Sequence, residues 1–151
     1  MSKPKILILD DDYYETNLRE VTIKKLISDF CDIKVLNYFT NESWNRGEIA
    51  VLTLLKYIEE AAPSILIFDL DLLRNGEWMD GIRLMRKFKN QSNEIIWSKP
   101  KVVVSTHVEE ARKDLNILDI PIDCRFNWVS LRDDTTTQAN FVGIILKYLS
   151  N

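Results

Sequence analysis

The chain has 151 residues, 46% of them hydrophobic, which is enough for one well-packed core and too few for two ordinary domains. We therefore expect a single domain over residues 1–151. The formal net charge of -3 gives no electrostatic reason to expect nucleic acid or an anionic membrane surface as a partner. Because the chain has neither a long apolar stretch nor the layout of a signal peptide at its N-terminus, we expect a cytoplasmic protein with no membrane partner.

Segments with strand character alternate with segments of helical spacing along the chain. The predicted strands are Lys5 to Leu9, Ile33 to Phe39, Ser64 to Phe68, Lys101 to Val104 and a weaker one at Cys124 to Val129. Five helices are predicted. The first has an apolar face of Leu18, Val21, Ile23, Leu26, Ile27 and Phe30, and the third has Ile82, Leu84, Met85 and Phe88 facing inward. The second, fourth and fifth cover Ile49 to Ala62, Val108 to Leu118 and Asp134 to Leu149. Residues 40–48 and 90–100 are predicted to be surface loops.

This alternation predicts an α/β fold. Each strand would run parallel to its neighbours, because a helix-containing crossover separates it from the next strand. The result is a five-stranded parallel sheet with helices on both faces, which makes a three-layer sandwich.

Polar residues follow three of the predicted strands. These residues are Asp10 and Asp11 after the first strand, Asp69 and Asp71 after the third, and Ser105, Thr106 and His107 after the fourth. Ligands of open parallel sheets bind outside the carboxyl ends of the strands, so we expect these groups to gather at one edge. An oxygen-only cluster of this kind suits Mg²⁺, and the sequence therefore predicts a metal-assisted phosphate site.

The order and spacing of these motifs resemble the receiver domain of two-component response regulators over nearly the whole chain. "KILILDDDYYETNLREVTIKKL" is similar to the opening strand, acidic pair and first helix of that family, "ILIFDLDL" to its phosphoacceptor strand, and "PKVVVSTH" to its fourth strand. The "DG" at Asp80 and Gly81 resembles the start of the third helix.

The resemblance implies a flavodoxin-like fold with sheet order 2-1-3-4-5, and it assigns the site residues. Asp69 would be phosphorylated, Asp10 and Asp11 would hold Mg²⁺ together with Asp69 and the backbone carbonyl of Asp71, and Ser105 would sense the phosphoryl group, with Thr106 and His107 as neighbours. The phosphodonor would be a histidine kinase or a phosphotransfer protein, and the signal would pass to a protein output target. Such a step is stoichiometric, so we expect a signalling domain and not an enzyme; formation of a homodimer is left open.

The fifth strand departs from the family pattern. Receivers generally carry a lysine at its end, whereas this chain has Ser130 nearest that position and Arg132 two residues later. Phe126 and Trp128 are both candidates for the switch aromatic of this strand. The loop 72–80 is also longer than the family pattern. The missing lysine supports an alternative function, a receiver-like interaction module that is not phosphorylated.

A second resemblance is limited to one motif. "IFDLDLL" is similar to the first motif of haloacid-dehalogenase-type phosphohydrolases, in which the first Asp attacks phosphorus and the second acts as acid and base. However, the motif lacks the small residue and Thr that should follow it, and it lies on the third predicted strand instead of the first.

Overall fold

A computed structural model of the protein describes residues 3–11, 14–39, 48–71 and 78–150. Five strands form a single parallel sheet: β1 (Lys5–Asp11), β2 (Asp32–Phe39), β3 (Ile65–Asp69), β4 (Lys101–Ser105) and β5 (Arg125–Asn127). Their order in the sheet is β2-β1-β3-β4-β5, which confirms the predicted flavodoxin-like topology. Every residue of β3 and β4 is buried, as expected for inner strands of a sheet that helices cover on both faces.

The helices are α1 (Tyr14–Ile27), α2 (Glu48–Ala61), α3 (Trp78–Gln91), α4 (Glu94–Trp97), α5 (Arg112–Ile117), α6 (Trp128–Asp133) and α7 (Thr135–Leu149), with a 3₁₀ turn at Ile122–Cys124. Helix α1 contacts α6 and α7, and α2 contacts α3 and α4. All four inward-facing residues predicted for α3 are buried. None of the helices in the described ranges is both long enough and apolar enough to cross a lipid bilayer.

The inward face of α1 differs from the predicted one. Leu18 and Val21 are 51% and 60% exposed, whereas Ile23 and Ile27 are buried. The third member of the buried stripe is Arg19, which is only 7% exposed and lies four residues before Ile23. Residues four apart share one side of a helix, so turning Arg19 toward the sheet rotates Leu18 and Val21 toward solvent.

The fifth strand is shorter than predicted, and its end is set by a helix cap. Strand β5 covers only Arg125–Asn127, and Trp128 is already the first residue of α6. The Asn127 side chain accepts a hydrogen bond from the Ser130 backbone N–H at 3.2 Å, which satisfies one of the free donors at the helix start. The placement of Trp128 on a strand was therefore wrong.

Two other boundaries also needed correction. The predicted loop 90–100 contains α4, whose N-cap Asn93 accepts a hydrogen bond from the Ile96 backbone N–H at 2.8 Å. The helix predicted to start at Val108 starts only at Arg112, because residues 106–111 form turns. Residues 40–47 and 72–77, which include most of the two other predicted loops, lie outside the described residues.

Candidate phosphoacceptor site

The carboxyl ends of β1, β3 and β4 lie side by side. Leu9 of β1 pairs with Phe68, and Asp69, the last residue of β3, pairs with Val104 of β4. Asp69 is 6% exposed. The backbone of Asp10 and Asp11 continues β1 at this same edge, but the side chains of these two residues are outside the described part of the structure.

The Asp71 side chain folds back over this edge and accepts several hydrogen bonds. Its Oδ1 accepts from the Ser105 hydroxyl at 2.6 Å. Its Oδ2 accepts from the Thr106 backbone N–H at 2.6 Å and from the Thr106 hydroxyl at 2.9 Å. The Asp71 backbone N–H in turn donates to Asp69 Oδ1 at 2.9 Å. The receiver resemblance assigned Asp71 a role through its backbone carbonyl, whereas in the structure its carboxylate accepts hydrogen bonds from both hydroxyl residues, Ser105 and Thr106.

A buried arginine joins the two carboxylates. Arg19 Nη1 lies 2.5 Å from Asp69 Oδ1, and Nη2 lies 3.1 Å from Asp71 Oδ2. The Arg19 side chain is 9% exposed, and its carboxylate partners are 6% and 10% exposed. A buried charge is tolerated when it is paired and hydrogen-bonded, and here one guanidinium serves two anions.

Trp128 holds the other side of this guanidinium. The Arg19 Cζ atom lies 5.2 Å from the centre of the Trp128 ring, within the range of a cation–π contact, and Trp128 is 6% exposed. Trp128, one of the two candidates for the switch aromatic of the fifth strand, therefore contacts the site from the first turn of α6.

Gly81 of α3 supports the chain segment between the two aspartates. A Cβ atom at this position would lie 2.5 Å from both the Cα and the carbonyl oxygen of Leu70. The helix can approach Leu70 this closely only because residue 81 has no side chain. Leu70 is fixed from the other side as well, since its N–H donates to the Val104 carbonyl at 3.1 Å.

The other predicted neighbours of the site contribute less directly. The His107 backbone N–H donates to the Ser105 hydroxyl oxygen at 2.9 Å, but its ring faces Glu110, 3.3 Å away. Arg132 is exposed on α6 and makes two hydrogen bonds to Asp133, which lower the pKa of that carboxyl group.

Phe126 and Ser130, which were also among the predicted site residues, have other partners in the structure. Phe126 packs edge-on against Phe141, with ring centres 5.2 Å apart. Ser130 lies on α6, where its N–H is bonded to the Asn127 cap.

The donor set is chemically suited to Mg²⁺, although the described part of it is incomplete. Asp69 and Asp71 offer hard oxygen ligands, and the backbone of Asp10 and Asp11 ends at the same edge. In the part of the chain that the structure describes, no group of three or more His, Cys, Asp or Glu side chains is arranged to hold a metal ion. Completing the site would therefore require the side chains from the end of β1.

The solved structures that are similar to this chain include receiver domains of signalling proteins. The signal receiver domain of a DNA-binding response regulator from Colwellia psychrerythraea is 14% identical with a TM-score of 0.60, and the match covers 95% of this chain and 99% of that one. The receiver domain of a histidine kinase from Arabidopsis thaliana, complexed with Mg²⁺ and BeF₃⁻, is 16% identical with a TM-score of 0.57, covering 98% and 91%. The chain has the receiver fold.

A third solved structure, a bacteriophytochrome response regulator, is 14% identical with a TM-score of 0.59, and the match covers 99% of this chain and 94% of that one. No protein-family model matches the sequence, and no curated protein matches it. The receiver fold is therefore supported by shape and by the order of the motifs, at a sequence identity too low to carry residue roles across.

Arg19 is the site residue that the sequence analysis missed. One signal was present: Arg19, Ile23 and Ile27 are spaced four residues apart, so an arginine continues a stripe of isoleucines. Its two partners, however, lie about fifty residues further along the chain, at the end of a different strand. Within the receiver fold, α1 thus brings a cation to Asp69 and Asp71, whereas the four residues that follow β5, 128–131, include neither lysine nor arginine.

Proposed function

We propose that this chain is a response regulator receiver domain that accepts a phosphoryl group on Asp69. The donor is a phosphohistidine of a histidine kinase or a phosphotransfer protein, and the output is a change in contacts with a protein target. One observation carries the proposal: in a receiver fold, a buried carboxylate at the end of β3 contacts a buried cation and lies beside a pair of hydroxyl residues.

In the transfer step, an Asp69 carboxylate oxygen forms a bond to phosphorus while the bond from phosphorus to the donor imidazole nitrogen breaks. The imidazole nitrogen keeps the electron pair of the broken bond. Because phosphoryl transfer requires little covalent chemistry from the protein, the role of this chain is to position the carboxylate and to neutralise charge. The Asp71 N–H fixes one Asp69 oxygen, and Arg19 supplies positive charge at the same oxygen.

Mg²⁺ is the proposed cofactor, held by Asp69 with Asp10, Asp11 and the backbone carbonyl of Asp71. When bound, it would neutralise the phosphoryl oxygens. Support comes from the oxygen-only donor set and from the histidine kinase receiver domain of similar structure, which was crystallised with Mg²⁺ and BeF₃⁻. The resulting aspartyl phosphate is a signal and not a product released in turnover, so the proposed activity is not that of an enzyme. Cytoplasmic location and the absence of a nucleic-acid partner stay predictions.

A second candidate function is a receiver-like interaction module that works without phosphorylation. The contacts of Asp71 favour it, because the Ser105 and Thr106 hydroxyls already donate to an anion that belongs to the chain itself. The haloacid-dehalogenase-type reaction has less support. Both oxygens of Asp71, the residue that would act as acid and base, accept hydrogen bonds from Ser105 and Thr106.

The test is incubation with Mg²⁺ and acetyl phosphate, followed by measurement of the intact mass. Wild type should gain the mass of one phosphoryl group, and Asp69→Asn should not. Asp119→Asn, which removes a carboxylate that is 79% exposed on the surface, is the matched control and should behave as wild type. If wild type forms no adduct and does not bind Mg²⁺, the interaction module replaces the switch. Continuous phosphate release from phosphate esters would instead identify a hydrolase.

A further inference from the structure

The Asp71 carboxylate occupies a site that is built to bind an anion. Three donors from the end of β4 and the residue after it converge on its two oxygens: the Ser105 hydroxyl, the Thr106 backbone N–H and the Thr106 hydroxyl, at 2.6 to 2.9 Å. Arg19 adds a charged donor at 3.1 Å. The Asp71 side chain is 10% exposed, so these donors act where water does little to weaken them.

Arg19 connects this anion site to the phosphoacceptor. Its guanidinium contacts Asp69 with one terminal nitrogen and Asp71 with the other. Among the described residues, the buried Nε atom of Arg19 has no hydrogen-bond acceptor, so the group has donor capacity that these two contacts do not use. A planar guanidinium matches the oxygens of a phosphoryl group better than a point charge does. Trp128 fixes the position of this guanidinium.

We propose that Arg19, Ser105 and Thr106 form one anion site, in which the Asp71 carboxylate is the resident ligand and from which a phosphoryl group displaces it. The inference rests on the proposed function, since that function brings a phosphoryl group to Asp69. Two anions then compete for the same donors, because each donor hydrogen serves one acceptor well. The Asp71 carboxylate and a phosphoryl group bound by the same donors would also repel each other, because both are negatively charged. Asp71 is thus a built-in competitor that lowers the affinity of the site for phosphoryl oxygens.

The competition predicts a gain of binding when the resident anion is removed. Inorganic phosphate is the probe, and isothermal titration calorimetry measures its affinity for wild type, Asp71→Ala and Asp71→Asn. We expect Asp71→Ala to bind phosphate about tenfold more tightly than wild type or better, a factor of the size that one recovered hydrogen bond supplies. The second variant serves if Asp71→Ala does not fold, as judged by circular dichroism; Asp71→Asn removes the charge and keeps the side-chain size.

Two further variants identify the donors. Adding Arg19→Gln to Asp71→Ala should abolish the gain, because it removes the charged donor. Asp114→Ala is the matched control, since Asp114 is also paired with an arginine, Arg86, but on the surface. This control should leave phosphate affinity unchanged. The proposal is overturned if folded Asp71→Ala and Asp71→Asn bind phosphate no better than wild type, or if Arg19→Gln retains the gain.

The acetyl phosphate reaction separates this proposal from the function on which it rests. Faster adduct formation in Asp71→Ala than in wild type supports both. If phosphate affinity rises but neither protein forms an adduct, the anion-site proposal is supported and the phosphoacceptor function is refuted. If the proteins form an adduct but Asp71→Ala does not bind phosphate more tightly than wild type, the phosphoacceptor function is supported and the anion-site proposal is overturned.

Discussion

The close approach of Gly81 to Leu70 gives a prediction whose size follows from the structure. A Cβ atom at residue 81 would lie 2.5 Å from backbone atoms of Leu70, whereas ordinary van der Waals contact begins at 3.4 Å. The difference, 3.4 minus 2.5, means that helix and strand end must separate by about 0.9 Å. The atoms that must move belong to the backbone next to β3, so a flexible side chain cannot absorb the clash.

We therefore expect Gly81→Ala to destabilise the protein. Overpacking costs about 1–3 kcal/mol, and we take ~3 kcal/mol because the contact is with backbone. The better helix propensity of alanine returns up to about 1 kcal/mol. The net loss in the free energy of unfolding is therefore about 2 kcal/mol, to be measured by urea denaturation. Because Leu70 joins Asp69 to Asp71, the yield of the acetyl phosphate adduct should also fall.

Gly143→Ala is the matched control for this substitution. Gly143 lies inside α7, and a Cβ atom there would meet no atom within 4 Å. Only the propensity effect applies, so this variant should gain about 0.5–1 kcal/mol. The prediction would be refuted if Gly81→Ala proved as stable as wild type, or if both variants shifted stability in the same direction by the same amount.

Three further predictions concern titrating groups elsewhere. Burial lowers the pKa of Lys101 to about 8, so between that value and 10.5 the unfolded chain binds more protons than the folded one. Urea titrations should therefore show wild type gaining stability relative to Lys101→Met as the pH rises through this range. A stability difference that stays constant with pH would contradict this prediction. Hydrogen bonds from Thr137 lower the pKa of Asp134, the N-cap of α7. The stability that wild type has over Asp134→Ala should therefore be complete above pH 3.8 and lost as the pH falls through the lower folded-state pKa, whereas a difference that persists in strong acid would refute the assignment. Burial raises the pKa of both thiols, to about 11 for Cys31, so Cys31 and Cys124 should react with a thiol reagent much more slowly in native than in urea-unfolded protein; equal rates would show that they are exposed.

The sheet could be predicted because its information is local. Buried strands such as Ile65–Asp69 appear as short apolar runs, and the helices between them leave a parallel arrangement as the natural solution. The strand ends then bring Asp69, Asp71 and Ser105 to one edge, which is where the structure has them. These conclusions need only the period of the sequence and the rule that ligands bind at carboxyl ends.

The sequence-based predictions for β5 and for the inward face of α1 were wrong because a polar residue determines the local structure in each case. Residues 124–129 have the apolar and aromatic character of a strand, but the Asn127 side chain caps a helix and ends the strand. Hydrophobicity likewise favoured Leu18 and Val21 as inward residues of α1. Burying Arg19 in their place is favourable only because two carboxylates from the end of β3 form ion pairs with it. These partners lie about fifty residues away in the sequence, so the local hydrophobic pattern of α1 does not predict them.

The stacking of Arg19 on Trp128 has a practical consequence for spectroscopy. An indole 5.2 Å from a guanidinium experiences the electric field of that charge, and the same guanidinium is bonded to Asp69. Any reaction that changes the charge on Asp69 should therefore alter the emission of Trp128. The chain has four tryptophans, so a variant retaining only Trp128 would report the reaction in real time without an added dye.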